Sequence, residues 1–311
     1  MQGSDNLKLS VALTTYNHGD YIKECLDSIL DQDFESEFEI VVSDDCSSDQ
    51  TGIIIESYCT KYPDKFNYIK REKNIGYVKN LDDVIKNCRG EYIAIFDGDD
   101  IMKKEKLKKQ VEYLDDMKNV VMVGHDARAF NSGNNKTIEY IRPKQKLQFF
   151  NVEDLFRHGS FFANSSKMFR RSAFPEKGID HNLKLIADWY LSIEIALKGD
   201  IGYIYEVLMD YRVHGSSIMR NIDGRTHFED MSLIINGIEN RFPGKYTHSF
   251  KSQWAYACLV TGISEFKRNN IKVAKDFLKQ SINYDPYYRL SQYFYLLFSY
   301  APRFVRKIIT R

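Results

Sequence analysis

Three aspartates, Asp97, Asp99 and Asp100, lie within four positions directly after the apolar run Tyr92–Phe96. Carboxylates this close together repel one another unless a cation or a helix N-terminus compensates their charge. Mg²⁺ and Mn²⁺ bind one or two carboxylates together with the phosphate oxygens of a substrate. The spacing therefore predicts either a divalent-metal site for a phosphate-bearing substrate or an Asp-Gly turn that caps the next helix.

A second group of acids follows an earlier apolar run. Asp44 and Asp45 come just after Phe38–Val42, and Ser47, Ser48 and Asp49 follow them. One of these last three is expected to cap the next helix, because such short polar side chains accept hydrogen bonds from the first backbone N–H groups. The functional alternative is that Asp44 or Asp45 accepts hydrogen bonds from a base edge or a ribose.

Two further polar residues, Asp188 and His214, stand apart from these groups. Asp188 begins an amphipathic segment that runs to Lys198, and an isolated aspartate there is more often a partner of the helix dipole than a catalytic base. A single histidine is likewise more often structural than a ligand. Their position after two acid clusters in one chain makes them candidates for a base and a ligand.

The elements that would position these residues alternate between residues 7 and 124. Short apolar runs are separated by segments in which apolar residues recur every three and four positions, which is typical of helices. This alternation predicts βαβ units and a mostly parallel sheet, and such sheets bind ligands beyond the carboxyl ends of their strands. The runs are Leu9–Leu13, Phe38–Val42, Phe66–Ile69, Tyr92–Phe96 and Val120–Val123, and the segments are Tyr21–Leu30, Thr51–Tyr62, Val78–Cys88 and Lys103–Met117.

The sequence contains neither G-x-G-x-x-G nor G-x-x-x-x-G-K-[ST]. The backbone amides of a glycine-rich loop are the usual partners of phosphate in nucleotide-binding α/β folds. Another group must then neutralise any phosphate, and the carboxylate clusters indicate a divalent metal.

The overall charge argues against nucleic acid as a partner. The 311 residues include 44 Lys+Arg and 43 Asp+Glu, which gives a formal net charge of +1. Proteins that coat nucleic acid usually have a clearly basic domain. No window reaches the ~18 consecutive apolar residues of a membrane-spanning helix, and Met1–Leu9 lacks the apolar region of a secretory signal. With five scattered cysteines and no C-x-x-C pair, we expect a reducing, cytoplasmic location.

The pattern after about Arg225 is helical, with a predicted hairpin of Ala255–Lys267 and Ile271–Asn283. The last segment, Arg289–Arg311, has no acidic residue. Such aromatic and basic segments either lie on anionic membrane surfaces or pack as a final helix with solvated basic residues. Its aromatic residues are Tyr293, Phe294, Tyr295, Phe298, Tyr300 and Phe304, and its later basic residues are Arg303, Arg306, Lys307 and Arg311.

Taken in order, the motifs resemble those of the family 2 glycosyltransferases, the inverting class with the GT-A fold. The resemblance runs from about Leu7 to Ser217. It implies a Rossmann-like, mostly parallel α/β sheet flanked by helices and followed by a helical region. The implied domains are a GT-A domain at 1–222, in which residues 1–125 bind the nucleotide and residues 126–222 face the acceptor, and a helical region at 223–311. The motifs are Ser10–Asn17, Val41–Thr51, Lys73–Asn80, Asp97–Asp100, Asp188–Trp189 and Tyr211–His214.

The resemblance also implies a role for each motif. Asp188 matches the general base, Asp99 matches the acid that coordinates a diphosphate-bound Mn²⁺ or Mg²⁺, and His214 matches a histidine that completes this site. The residues matched to the nucleotide pocket are Thr15, Tyr16, Asn17, Asp44, Asp45, Asn74, Gly76, Lys79, Asn80 and Asp97, and those matched to the sugar and acceptor side are Trp189, Ser165 and Asp100.

The implied reaction moves a sugar from a nucleoside-diphosphate sugar, with UDP favoured, to a hydroxyl of a glycan or lipid-linked saccharide. The chain departs from the family pattern in three places. Thr14 replaces a common proline, which changes backbone stiffness more than chemistry, and Ala187 replaces a common glutamate, which leaves Asp188 as the only base candidate there. Ile101–Met102 replace an aromatic sugar contact seen in some relatives, and this departure leaves the donor sugar open.

Two other classes stay open at this point. A nucleotidyltransferase-like enzyme would release pyrophosphate instead of a nucleoside diphosphate, and a helical scaffold with a degenerate transferase domain would release neither. The expected location is cytoplasmic or peripheral on the inner face of the membrane, with 289–311 as the candidate contact segment.

Overall fold

The structure is a computed structural model that describes residues 7–215 and 224–300. The chain divides into two compact units. The first comprises Met1–Val152, Ser160–His181 and Ala187–Ser216, and the second comprises Glu153–Gly159, Asn182–Ile186 and Ser217–Arg311. The expected domain boundary at 222/223 and the motif residue Ser217 lie outside the described residues, as does the end of the tail from 301 to 311.

The first unit is built on a ten-stranded sheet, counted over the described residues, with the main order β3-β2-β1-β4-β9-β6-β10-β5. Helices cover it, and the predicted α/β class is confirmed. The strands are β1 (Leu9–Thr15), β2 (Phe38–Asp44), β3 (Phe66–Lys70), β4 (Tyr92–Asp97), β5 (Ile101–Met102), β6 (Val120–Asn131), β7 (Thr137–Ile141), β8 (Phe149–Phe150), β9 (Met168–Arg170) and β10 (Asp200–Val213). The helices in this stretch of the chain are α1 (Ile22–Leu30), α2 (Thr51–Lys61), α3 (Tyr77–Lys86), α4 (Lys106–Asp116), α5 (Val152–His158) and α6 (Ala187–Ala196).

Strands β1, β2 and β4 are buried on both faces of the sheet, whereas the edge strand β3 is half-buried to exposed. Every residue of β1 and β2 is buried, which is typical of a parallel sheet covered by helices on both sides. The strands β3, β2, β1 and β4 all pair in parallel. Helix α1 packs with Ile22, Cys25, Leu26 and Ile29, the spacing of one helix face.

The strand register aligns the ends that carry the polar motifs. Thr15 at the end of β1 pairs with Asp44 at the end of β2, and Thr14 pairs with Asp97 at the end of β4. Gly98 follows Asp97 and lies so close to β1 that a Cβ there would be 2.7 Å from Thr15 Oγ1. The close approach of two strand ends therefore requires glycine at position 98.

The second half of the sheet is mixed rather than parallel. Strand β9 inserts antiparallel between β4 and β6, whereas β10 runs parallel to β6 and antiparallel to the short β5. The pair Asp210–Ile101 joins β10 to the residue after the aspartate cluster. This pairing brings the segment that ends in His214 alongside Asp99 and Asp100.

The second unit is mainly helical, as predicted. It includes α7 (Gly224–Arg241), α8 (Lys251–Lys267), α9 (Ile271–Tyr284) and α10 (Ser291–Phe298). The predicted break between α8 and α9 is present, with Asn269 in the left-handed region at φ 65°, a conformation that asparagine tolerates. Across the described ranges, the helices are too short or too polar to span a membrane.

A basic residue, Lys106, is buried in the core of the first unit. Lys106 of α4 is fully buried, and its Nζ donates to Gln110 Oε1 at 2.9 Å. Burial lowers the pKa of Lys106 to about 7. The pKa of His125 is lowered by its own burial and then by the charge of Lys106. The core therefore holds an amine whose charged form is disfavoured.

Replacing this amine should change how stability depends on pH. Between pH 7 and about 10.5 the unfolded chain keeps the Lys106 proton and the folded chain does not, so unfolding becomes harder as pH rises, by up to about 1.4 kcal/mol per pH unit. Lys106→Met removes this dependence. In urea unfolding between pH 7 and 10, the wild type should gain stability relative to Lys106→Met. The exposed neighbour variant Lys108→Met is the control, and a Lys106→Met difference that does not vary with pH would contradict the assignment.

Candidate active site

Asp97 is tied to its own sheet by short polar side chains. Its carboxylate accepts hydrogen bonds from Thr14 Oγ1 at 2.8 Å, Asn164 Nδ2 at 3.1 Å and Ser165 Oγ at 3.2 Å. The Asp97 backbone N–H in turn donates to Ser165 Oγ. Burial and then the charge of Asp99 raise the pKa of Asp97, and these donors oppose the rise. Asp97 is therefore a fixed anchor between β1, β4 and the 3₁₀ turn Asn164–Ser166.

Asp100 points in a different direction and is fully buried. Its Oδ1 accepts the backbone N–H of Arg212 at 2.9 Å, which links it to β10. The Arg212 guanidinium donates to the backbone oxygen of Asp99 at 2.7 Å and also pairs with Glu24. Burial, together with the charges of Asp99 and Asp97, raises the pKa of Asp100 well above its usual range. Asp100 therefore fastens the acid cluster to β10.

Asp99 is the acid of this cluster that meets imidazoles. Its Oδ2 lies 2.9 Å from His214 Nε2 and 3.9 Å from His18 Nε2. Burial acts to raise the pKa of Asp99, but the hydrogen bond with His214 and the charge of His18 outweigh it and hold the pKa below its usual range. Asp99 is thus held as an anion.

The three side chains form a group with the dimensions of a metal site. Ligand atoms of His18, Asp99 and His214 all lie within 4.8 Å of one another. His18 Nδ1 is buried and has no hydrogen-bond partner among the residues the structure describes. One carboxylate oxygen and two imidazole nitrogens are a donor set that fits a divalent cation. The sequence prediction named Asp99 and His214 and missed His18, although His18 directly follows the β1 end motif.

Asp44 and Asp45 are both buried at the end of β2. Asp44 accepts the hydroxyl of Ser47 and, at 3.4 Å, that of Tyr68. Asp45 accepts the backbone N–H of Ile75 at 2.7 Å and that of Gly76 at 2.9 Å. Burial raises the pKa of Asp45, and these two backbone donors oppose the rise. The two acids therefore hold the loops that follow β2 and β3.

The loop after β3 is built around these contacts. Asn74 Nδ2 donates to the backbone oxygen of Asp45 at 3.1 Å, and Gly76 begins α3 in a left-handed conformation at φ 86°. Asn80 on α3 makes two hydrogen bonds with Ser43 of β2: its Oδ1 accepts the Ser43 hydroxyl, and its Nδ2 donates to the Ser43 backbone oxygen. Lys79 is exposed beside it. Asn74, Gly76 and Asn80 thus hold α3 to the sheet, and the Lys79 side chain is exposed to solvent.

The β1 end is locked to the loop after β2. Asn17 has φ 53°, and its Oδ1 accepts the backbone N–H of Ser48 at 2.9 Å. Asp49 accepts the backbone N–H groups of Gly19 and Thr51. The N-cap of α2 is Gln50, which makes no side-chain capping hydrogen bond, so Asp49 binds the first N–H of the helix from the residue before the N-cap and none of the three candidates is the N-cap itself. Tyr16 remains 47% exposed between these loops, which leaves its ring open for stacking.

Asp188 lies in the first turn of α6 and is half-buried. Its backbone oxygen accepts Lys167 Nζ at 3.1 Å and Ser192 Oγ at 2.7 Å. Lys167 is buried, and burial lowers its pKa although the charges of Asp188 and Asp97 oppose this. Lys167 follows the turn that binds Asp97, so one short segment contacts both Asp97 and the start of α6.

Several aromatic residues surround these acids. Trp189 is buried, and its indole N–H has no partner within the described ranges of the chain; its ring is therefore not an exposed stacking surface. Tyr77 accepts a hydrogen bond from Asn164 at 3.2 Å. Burial, together with the charges of Asp97 and Asp188, raises the pKa of both Tyr77 and Tyr211. Sequence reasoning missed Tyr77 and Asn164, which become neighbours of Asp97 only through folding.

Comparison with known proteins gives a consistent family match. The model of the family described as "Glycosyl transferase family 2" matches residues 10–176. An uncharacterized protein of Mycobacterium tuberculosis is 34% identical over 211 residues, which is 68% of this chain and 60% of that protein. The chain thus spans less than two thirds of the length of the first curated relatives it matches. The poly(ribitol-phosphate) beta-N-acetylglucosaminyltransferase TarS of Staphylococcus aureus is 40% identical over 111 residues, 35% of this chain and 19% of TarS.

Solved structures share the fold. The crystal structure of S. aureus TarS 1–349 in complex with UDP has a TM-score of 0.66 at 21% identity and covers 98% of this chain and 89% of that one. A mannosyltransferase from Pyrobaculum calidifontis in complex with GDP-Man and Mn²⁺ has a TM-score of 0.57 at 16% identity, with 98% and 84% covered. At these identities the likeness concerns the fold alone.

Asp45→Asn tests whether this acid shapes the loop at 74–76. An amide has one acceptor oxygen, so one of the two backbone N–H groups that Asp45 now binds would lose its partner, at a cost of about 1–3 kcal/mol. We expect a lower urea midpoint and faster amide hydrogen exchange in the peptide around Ile75 and Gly76. The exposed variant Glu72→Gln should change neither. Unchanged exchange in Asp45→Asn would show that the loop does not depend on this carboxylate.

Proposed function

The chain belongs to glycosyl transferase family 2, and we propose that it transfers a sugar from a UDP-sugar to a hydroxyl of a glycan or lipid-linked saccharide, with inversion at the anomeric carbon. The observation that carries this proposal is that the three clustered acids have different hydrogen-bond partners. Asp97 and Asp100 are bound by neutral donors of the protein, whereas Asp99 faces two imidazoles. An anionic site of this kind suits the metal-bound diphosphate of a nucleotide sugar.

We propose a divalent cation at His18, Asp99 and His214. Both Mg²⁺ and Mn²⁺ take carboxylate ligands, but imidazole nitrogen is a poorer ligand for Mg²⁺, which prefers an all-oxygen shell. Two histidines beside one aspartate therefore favour Mn²⁺. When bound, the cation would supply positive charge to the diphosphate of the donor. His18 and His214 would also fix the orientation of the Asp99 carboxylate.

The nucleotide would bind at the joined ends of β1 and β2. Tyr16 offers an exposed ring for base stacking, and Thr15, Asn17, Asp44 and Asp45 form the rim around it. The loop and helix residues Asn74, Gly76 and Asn80 would position this rim, and Lys79 would add a positive charge in solvent. UDP is supported by TarS, which has been crystallised in complex with UDP and with UDP-GlcNAc. We propose that the GT-A domain comprises 1–222, with the nucleotide site in 1–125, the acceptor side in 126–222 and a helical region at 223–311.

Asp188 is the proposed general base. In a single displacement, Asp188 takes the proton of the acceptor hydroxyl while that oxygen forms a bond to the anomeric carbon. The bond from this carbon to the phosphate oxygen breaks, and the electron pair leaves with the nucleoside diphosphate. Lys167 and Ser192 hold the Asp188 main chain, so they position the base without touching the reacting atoms. Trp189, Ser165 and Asp100 would support the sugar and acceptor side as buried packing partners.

Asp188→Asn should separate transfer from donor binding. An amide cannot take the acceptor proton, and a positioned base contributes about 10²–10⁴-fold to rate. We expect release of UDP in the presence of acceptor to fall by that factor, while the dissociation constant for UDP measured by calorimetry stays within about threefold of the wild type. Asp116→Asn, an exposed acid at the end of α4, is the matched control. An equal loss of UDP affinity and transfer would refute the base assignment.

Asp99→Ala should remove the metal dependence of nucleotide binding. Wild-type protein should bind UDP more tightly with Mn²⁺ than with EDTA. Asp99→Ala removes the one carboxylate of the group, so the metal affinity should fall by about 10–100-fold or more. The increase in UDP affinity that Mn²⁺ causes should therefore disappear. Calorimetric titrations with Mn²⁺, with Mg²⁺ and with EDTA measure it, and Asp116→Ala is the control. If Asp99→Ala keeps the full Mn²⁺ effect, the cation does not bind at this group.

A further inference from the structure

The exposed apolar side chains of this protein are concentrated near residue 300. Of the thirteen large apolar residues that are strongly exposed in the described ranges, seven lie between positions 284 and 300. Monomeric soluble proteins rarely expose contiguous apolar patches beyond a few hundred Å², and larger ones mark interaction sites. The seven are Tyr284, Tyr287, Leu290, Tyr293, Phe294, Leu297 and Tyr300.

Helix α10 buries polar as well as apolar side chains on its inward side. Gln292 and Ser299 are buried, and Gln292 Nε2 donates to Ser281 Oγ on α9 at 3.0 Å and to the backbone oxygen of Asp285 at 2.9 Å. Tyr295 of α10 also packs edge-on against Phe266 of α8, with 5.7 Å between ring centroids, so polar and aromatic contacts together attach the helix to the second unit. A surface helix ordinarily turns its apolar stripe inward.

The outward face of α10 is a continuous apolar stripe. Leu290, Phe294 and Leu297 follow the spacing of one helix face, and their exposed fractions are 88%, 46% and 71%. Tyr293 and Tyr300 lie beside them with exposed fractions of 45% and 61%. We call Tyr287, Leu290, Tyr293, Phe294, Leu297 and Tyr300 the α10 face.

The charge around this face is positive. Between Arg289 and Arg311 the sequence has five basic residues and no acidic residue. Arg289 is exposed directly beside Leu290, and Lys275 Nζ of the neighbouring helix α9 lies 3.6 Å from the centroid of the Tyr300 ring. Tyrosines are enriched where protein meets the membrane–water interface, and each Lys or Arg near an anionic leaflet contributes about 1 kcal/mol of attraction.

We propose that the α10 face docks in the interfacial plane of an anionic membrane. The leucine and aromatic side chains enter the boundary between headgroups and acyl chains, and Arg289 contacts the lipid phosphates. The basic residues that the sequence has after position 300 add positive charge to this end of the chain. A second copy of the chain is a poorer occupant, because two such faces would bring basic segments of the same sign together. This inference goes beyond the proposed reaction, since it needs neither a donor nor a metal.

Vesicle flotation with the full chain tests the proposal. We expect the protein to float with vesicles of phosphatidylcholine and about 30% phosphatidylglycerol and to stay behind with pure phosphatidylcholine at about 0.1 M salt, where charges are screened beyond ~10 Å. The triple variant Leu290→Ser, Phe294→Ser, Leu297→Ser should lose at least about tenfold in partitioning. The matched control Ile138→Ser, Tyr140→Ser, Leu147→Ser alters three exposed apolar residues of the first unit and should float like the wild type.

One measurement and one further variant complete the test. Thermal unfolding must show that the α10 triple variant is folded. The charge variant Arg303→Gln, Arg306→Gln, Lys307→Gln leaves the sequence of α10 unchanged and should weaken binding to anionic vesicles. No flotation of the wild type with anionic vesicles would overturn the proposal. So would an α10 triple variant that floats as well as the wild type, or a dimer in light scattering that this variant dissociates.

Discussion

The site depends on how the protein keeps three carboxylates together at the end of β4. Asp97 and Asp99 are half-buried and Asp100 is buried, and the three carboxylates would repel one another strongly if they shared one environment. The fold gives each a different partner: short polar side chains for Asp97, the β10 backbone for Asp100, and imidazoles for Asp99. Of these three acids, only Asp99 lies beside imidazoles, and these residues are the ones proposed to hold a cation.

The unusual parts of the sheet follow from this requirement. The short β5 and the long β10 pair so that Arg212 reaches Asp100 and His214 reaches Asp99. The insertion of β9 beside β4 brings the turn Asn164–Ser166 onto Asp97. Lys167, next in the chain, reaches the first turn of α6. One connected set of contacts therefore joins the acid cluster to the proposed base at Asp188.

Sequence reasoning could predict the features of this arrangement that depend on local pattern. The alternation of apolar runs and amphipathic segments gave the order of β1 to β4 and their helices, because buried parallel strands and amphipathic helices have distinct periods. The positions of the acids at strand ends followed from the same pattern. Contacts between residues distant in sequence could not be predicted. No local pattern indicates that Asn164 binds Asp97, 67 residues away, or that the amide oxygen and the amide nitrogen of Asn80 both bond to Ser43. Composition similarly revealed an aromatic and basic C-terminal segment but not which side of α10 is buried.

The most direct test is anomalous diffraction from crystals of the full chain soaked with MnCl₂ and UDP, measured at the manganese edge. We predict one strong peak within coordination distance of the Asp99 carboxylate and of an imidazole nitrogen of His18 or His214, next to the diphosphate. A manganese peak on Asp97 or Asp100 instead, or well-ordered UDP with no manganese at Asp99, would contradict the view that the fold reserves this one acid for a cation.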